Sequence, residues 1–91
     1  MIGEKIRTLR EQRNILLRQL AASLDIDAAM LSKMERGDRF FRKEDILSLA
    51  SIFEEPEEGL LTLWLADKIL KTIQEEAYKQ QALKLALKTL K

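Results

Sequence analysis

Residues 17–37 read LRQLAASLDIDAAMLSKMERG. Apolar side chains recur there at three- and four-residue spacing in two short runs: Leu17, Leu20, Ala21 and Leu24, then Leu31 and Met34. That period belongs to helices, because residues three and four apart share a helix face. Asp25-Ile26-Asp27 separates the runs. Asp27 suits an N-cap, since its carboxylate can accept from the free N–H groups that open a helix. Gly37 suits the left-handed residue that closes one. The spacing therefore predicts helices over 17–24 and 28–36, joined by a tight turn.

The same period extends outward. Ile2, Ile6 and Leu9 predict a first helix over 2–13, stopped near Asn14. Beyond Gly37 comes a basic loop, residues 38–42. Ile46, Leu49, Ala50 and Phe53 then mark a helix over 43–54. Pro56 ends that segment and can open the next helix in its first turn. A fifth helix is expected over 57–76, apolar on nearly every side from Leu60 to Ile73, and a sixth over 78–90 with Leu83, Ala86, Leu87 and Leu90 on one stripe. No period-two alternation occurs, and three glycines and one proline leave few breaks. The chain reads as all-α.

Composition narrows the chemistry. The 91 residues are 46% hydrophobic, which suits one domain with a packed core. With no histidine and no cysteine, disulfides, thiol nucleophiles, histidine-based triads and Cys/His zinc sites are excluded. No apolar stretch approaches the ~20 residues that span a bilayer. A small cytoplasmic domain with no cofactor is expected. The adjacent pairs Glu57/Glu58 and Glu75/Glu76 read as solvated helix surface rather than an acid–base site, so no enzymatic activity is expected.

Net charge is +1, but it is segregated. Residues 1–43 carry ten basic against six acidic side chains, residues 44–76 two against nine, and residues 77–91 four lysines and no acid. Seven of the first ten bases are arginine, and every base after residue 43 is lysine. The planar guanidinium fork suits phosphates and guanine edges better than an ammonium does. The arginines thus coincide with the two-helix corner.

Two short helices, a turn of three or four residues, a glycine and a basic loop describe a helix-turn-helix, whose second helix enters the major groove. Leu9-Arg10, Leu20-Ala21, Leu31-Ser32, Glu35-Arg36-Gly37 and Leu49-Ala50 fall in the register of the phage repressor/Cro (Xre-type) helix-turn-helix family, which the chain resembles over residues 2–60. The resemblance implies a lambda-repressor-like five-helix DNA-binding domain over 1–60, with 61–91 as a C-terminal helical extension. It implies that Ala28, Ala29, Ser32 and Lys33 contact base edges. It places Arg36, Arg39, Arg42 and Lys43 near phosphates, and matches Arg10 and Glu35 to a pair that joins the first helix to the third.

The chain departs from the family at the second helix. A Ser or Thr cap followed by a phosphate-contacting Gln is replaced by Leu16 and Leu17, leaving Arg18 as the nearest substitute for the phosphate contact. Phe40 and Phe41 are unusual in the loop; one is expected in the core and the other at the surface. Ala28 and Ala29 offer only apolar contact to a base, while Lys33 can donate to guanine O6 and N7. Few direct base contacts are expected, with shape and phosphates supplying much of the binding.

The extension admits two readings, a helical flap completing one subunit's core or a dimer interface through Leu61, Trp64, Leu65, Ile69 and Ile73. An all-round apolar helix favours the second. The function expected is a homodimeric transcriptional regulator on a palindromic operator in double-stranded DNA, of the restriction–modification controller, phage repressor or autoregulating antitoxin kind. The alternative is an antitoxin or adaptor whose C-terminal helices hold a partner protein.

Overall fold

The computed structural model describes residues 1–90. Six helices follow in order: α1 (Ile2–Gln12), α2 (Leu17–Ser23), α3 (Ala28–Glu35), α4 (Lys43–Phe53), α5 (Glu57–Ile73) and α6 (Lys79–Thr89). No strand occurs among the described residues.

The first four helices surround one core. Ile6, Leu20, Leu31, Ile46, Leu49 and Phe53 are almost completely buried at its centre, and Leu60 from α5 closes it. These are the periodic apolar positions of the sequence. Burial of a Leu, Ile or Phe side chain contributes roughly 1.5–3 kcal/mol, so this shared interior holds the short helices in place. Alone, helices of 7 and 8 residues such as α2 and α3 fall below the roughly 12–15 residues that an isolated helix needs.

The ends of α1 to α4 close in one way. Each chain exit passes through a left-handed residue: Asn14 (φ 55°), Asp25 (φ 58°), Gly37 (φ 85°) and Glu54 (φ 54°). The next N–H then reaches back into the last turn, as from Ile26 to the Ala21 carbonyl at 3.0 Å and from Asp38 to that of Lys33 at 2.8 Å. This Schellman closure satisfies carbonyls that the helix leaves unpaired. Asn, Asp and Gly tolerate the left-handed region; Glu54 adopts it with the Glu55 N–H bonded back to the Ala50 carbonyl at 2.9 Å.

Gly3 settles how α1 meets α3. A Cβ there would lie 2.6 Å from the Met34 carbonyl oxygen and closer still to that of Glu35. Only glycine lets the two backbones approach this far.

The fifth helix ends at Ile73, short of the expected Glu76. The Gln74 carbonyl accepts from Lys79 Nζ at 2.9 Å, and Tyr78 takes a positive φ of 63°. The boundary expected after residue 60 falls inside α5, and Trp64, one turn further on, is buried in the same core. Further along α5, Leu65 and Ile69 face outward, and no residue of α6 is buried. The described chain measures 42 × 25 × 21 Å with a radius of gyration of 14.8 Å, against about 12 Å for a compact chain of this length.

Candidate nucleic-acid interface

α3 is positioned from both ends. At its start, Asp27 Oδ1 accepts from the Met30 N–H at 2.7 Å, the expected cap. At its finish, Glu35 is buried and takes two hydrogen bonds from Arg10, Nε to Oε2 at 2.9 Å and Nη2 to Oε1 at 3.1 Å. The Arg10 Nη1 donates to the Ile15 carbonyl at 3.1 Å, so one guanidinium ties α1, the turn after it and the end of α3. The hydrogen bond to Glu35 raises the Arg10 pKa above its ordinary value, with the opposite charge of Glu35 adding to it against burial. The expected Arg10–Glu35 pair is present.

α2 is capped without a Ser or Thr. The Leu16 N–H donates to Gln19 Oε1 at 2.9 Å, so a side chain three residues into the helix reaches back to cap it. α4 repeats the device with Asp45, whose Oδ2 accepts from the Arg42 N–H at 2.9 Å. Asp45 is buried, and it also takes Arg42 Nε at 3.3 Å and Nη2 at 3.0 Å. Those bonds to Asp45 raise the Arg42 pKa.

With its core face turned inward, α3 exposes Ala29 and Lys33, with Ser32 half-buried beside them. Their spacing of three and four residues puts the three on one face. Ala28 does not join them fully: it is half-buried against the core. Ser32 is already engaged, since Arg36 Nη1 donates to its Oγ at 2.8 Å. Arg36 Nε also meets Asp38 Oδ2 at 3.3 Å.

The expected phosphate-contacting residues fall into two groups. Arg36 is held by the exposed Asp38 and Arg42 by the buried Asp45. Arg18, Arg39 and Lys43, like Lys33 on α3, are exposed and form no ion pair among the described residues. Arg39 and Arg42 sit on the 38–42 loop, which Phe41 anchors. Its ring is buried, and its carbonyl accepts from Trp64 Nε1 at 2.7 Å inside the fold. Phe40 is the surface member of the pair, with Lys71 Nζ 5.5 Å from its ring centre.

Trp64 therefore corrects one expectation. Expected on an outward stripe, it is buried in the chain's own core, and its indole N–H bonds the 38–42 loop. Leu61 is half-buried against the same core. Leu65 and Ile69 are exposed, and Ile73 is half-buried.

A family model described as a helix-turn-helix domain matches residues 2–63, which include α1 to α4 and the start of α5. The chain belongs to the Xre-type helix-turn-helix family. Within that family, the HTH-type transcriptional repressor RghR of Bacillus subtilis (strain 168) is 40% identical over 60 residues. The match takes in 65% of this chain and 44% of RghR, less than half of that relative's length. No solved structure matches the chain.

Gly3, Gln19 and Asp45 are the contributors to this site that periodicity and motif do not expose. Gln19 and Asp45 carry a signal, each standing three residues after the residue that precedes a helix. Gly3 carries none, because the need for it arises from carbonyls more than thirty positions away.

Proposed function

We propose that this helix-turn-helix chain is a transcriptional regulator that binds a palindromic operator as a homodimer. α3 enters the major groove, and Lys33 and Ser32 face base edges, with Ala29 giving apolar contact. Arg18, Arg39 and Lys43 meet phosphates on either side. Its similarity to a named repressor favours repression as the direction of control.

One observation carries the reading. A polar face of α3, with Ala29, Ser32 and Lys33, is accompanied by Arg18, Arg39 and Lys43, exposed cations that form no ion pair among the described residues. Exposed bases without internal partners are free to neutralise phosphates and release counterions. Arg36 has a second role here. It donates to Ser32 Oγ, so the hydroxyl hydrogen is left to donate outward, toward guanine O6 or N7 or thymine O4.

The test is selection of duplexes from a random pool, followed by titration of the selected site over a range of salt. If Arg18, Arg39 and Lys43 of both subunits engage, the slope of log affinity against log salt is about −5. Arg39→Ala makes it shallower by about 1.8 for two copies and weakens all sequences alike. Lys33→Ala instead relaxes the choice of base. A slope near zero would remove the DNA reading.

A further inference from the structure

α6 is a helix with nothing resting on it. None of its residues is buried, and Leu85 and Leu87 are 67% and 68% exposed. It has 11 residues, a length at which an isolated helix is marginal in water. Its Leu83, Ala86 and Leu87 form one apolar stripe, with Lys84 and Lys88 off that stripe.

The chain carries a second uncovered stripe. Leu65, Ile69 and Ile73 recur every four residues along α5, on the side away from Leu60 and Trp64. Leu65 is 52% and Ile69 48% exposed. The two stripes do not cover each other within one chain, since both remain open.

Charge decides how two copies can cover them. Residues 54–76, α5 with its flanking turns, hold seven carboxylates against Lys68 and Lys71. Residues 77–91 hold four lysines and no acid. Pairing α6 with α6 sets lysines against lysines, and pairing α5 with α5 brings the two acidic regions together. Pairing α6 with α5 joins opposite signs. Glu57 and Glu58 precede the α5 stripe and Glu75 and Glu76 follow it, so carboxylates flank both ends of the surface that Lys84 and Lys88 would approach.

We propose that α6 of each subunit lies on the outer face of α5 of the other, a reciprocal exchange that forms the dimer. This rests on the homodimer reading above and names its surfaces. The same contact occurs twice about a two-fold axis, as an isologous interface requires.

The chain has no cysteine, so single cysteines report contacts cleanly. Ile69→Cys and Leu87→Cys chains are mixed, allowed to exchange and oxidised. The expected result is a cross-linked dimer in the mixture, well above the yield of either chain alone. Self-cross-linking of either chain at the mixture's yield overturns the exchange. Leu83→Glu/Leu87→Glu is expected to sediment as a monomer and to lose the circular-dichroism signal of about one short helix. Trp64 emission should stay unchanged, showing that the core is intact. If that variant remains dimeric, the exchange fails and the dimer stands. If the unmodified chain is a monomer at micromolar concentration, the dimer reading itself fails. A monomer that binds phosphatidylglycerol vesicles through α6 overturns the proposal in favour of a membrane surface.

Discussion

Separating Arg10 from Glu35 tests what holds α3 in place. The side chains are only 14% and 5% exposed, and two short hydrogen bonds join them. Glu35→Leu leaves the Arg10 guanidinium with the Ile15 carbonyl and little water. Arg10→Met leaves both oxygens of a buried carboxylate without their donor. Breaking a buried pair from one side costs about 3–5 kcal/mol. The residual exposure of Arg10 puts Glu35→Leu at about 3 kcal/mol and leaves Arg10→Met nearer the upper end of that range. The double variant Arg10→Met/Glu35→Leu removes both charges and recovers most of the loss, a coupling of at least about 2 kcal/mol. Urea unfolding followed by the emission of Trp64, the sole tryptophan, reads this directly. With a denaturant slope of about 1 kcal/mol per molar, each single variant lowers the midpoint by about 3 M or more. The double variant should lower it by less than about 1 M. Single losses below about 1 kcal/mol, or a double loss equal to their sum, would show that the two charges are not coupled through burial.

Three further outcomes follow from packing and capping. Gly3→Ala should cost about 1–3 kcal/mol, because the carbonyls of Met34 and Glu35 are backbone and cannot swing aside; DNA affinity should fall with it as α3 shifts, and thermal unfolding with a binding titration checks both. Trp64→Phe keeps most of the apolar bulk but leaves the Phe41 carbonyl without its donor. A loss of about 1–3 kcal/mol is expected, read by circular-dichroism melts. Asp27→Ala removes the cap of α3 and should cost about 1 kcal/mol; Asp27→Asn should recover most of it in the same melts.

The helix-turn-helix was legible because its signals are local. Asp27 caps α3, Asp25 and Gly37 take left-handed backbone, and the apolar positions of 17–37 face inward. Contacts between distant segments were less legible. Asp45 looks like one more surface acid in an acidic stretch, yet it is buried as the cap of α4. Asp67 accepts from the Ile2 N–H at 2.8 Å, closing α5 over the start of α1, and no spacing in the sequence reveals that. Trp64 looked like part of an outward stripe because α5 is apolar on most sides. Periodicity shows that a helix has two faces to cover but not which one meets its own core. The indole N–H supplies the missing discrimination, since a buried one needs an acceptor and Phe41 provides it.

α5 is one helix serving two sides. Its inner side holds the 38–42 loop through the Trp64–Phe41 bond, and that loop carries Arg39 and Arg42. Its outer side carries Leu65 and Ile69. A partner that draws α5 even slightly outward would therefore change where two arginines stand, with no contact of its own to DNA. Linkage then requires reciprocity: operator binding must alter the partner's affinity by the same factor. Assembly measured with and without duplex would expose that coupling as a shift in the dimerisation constant.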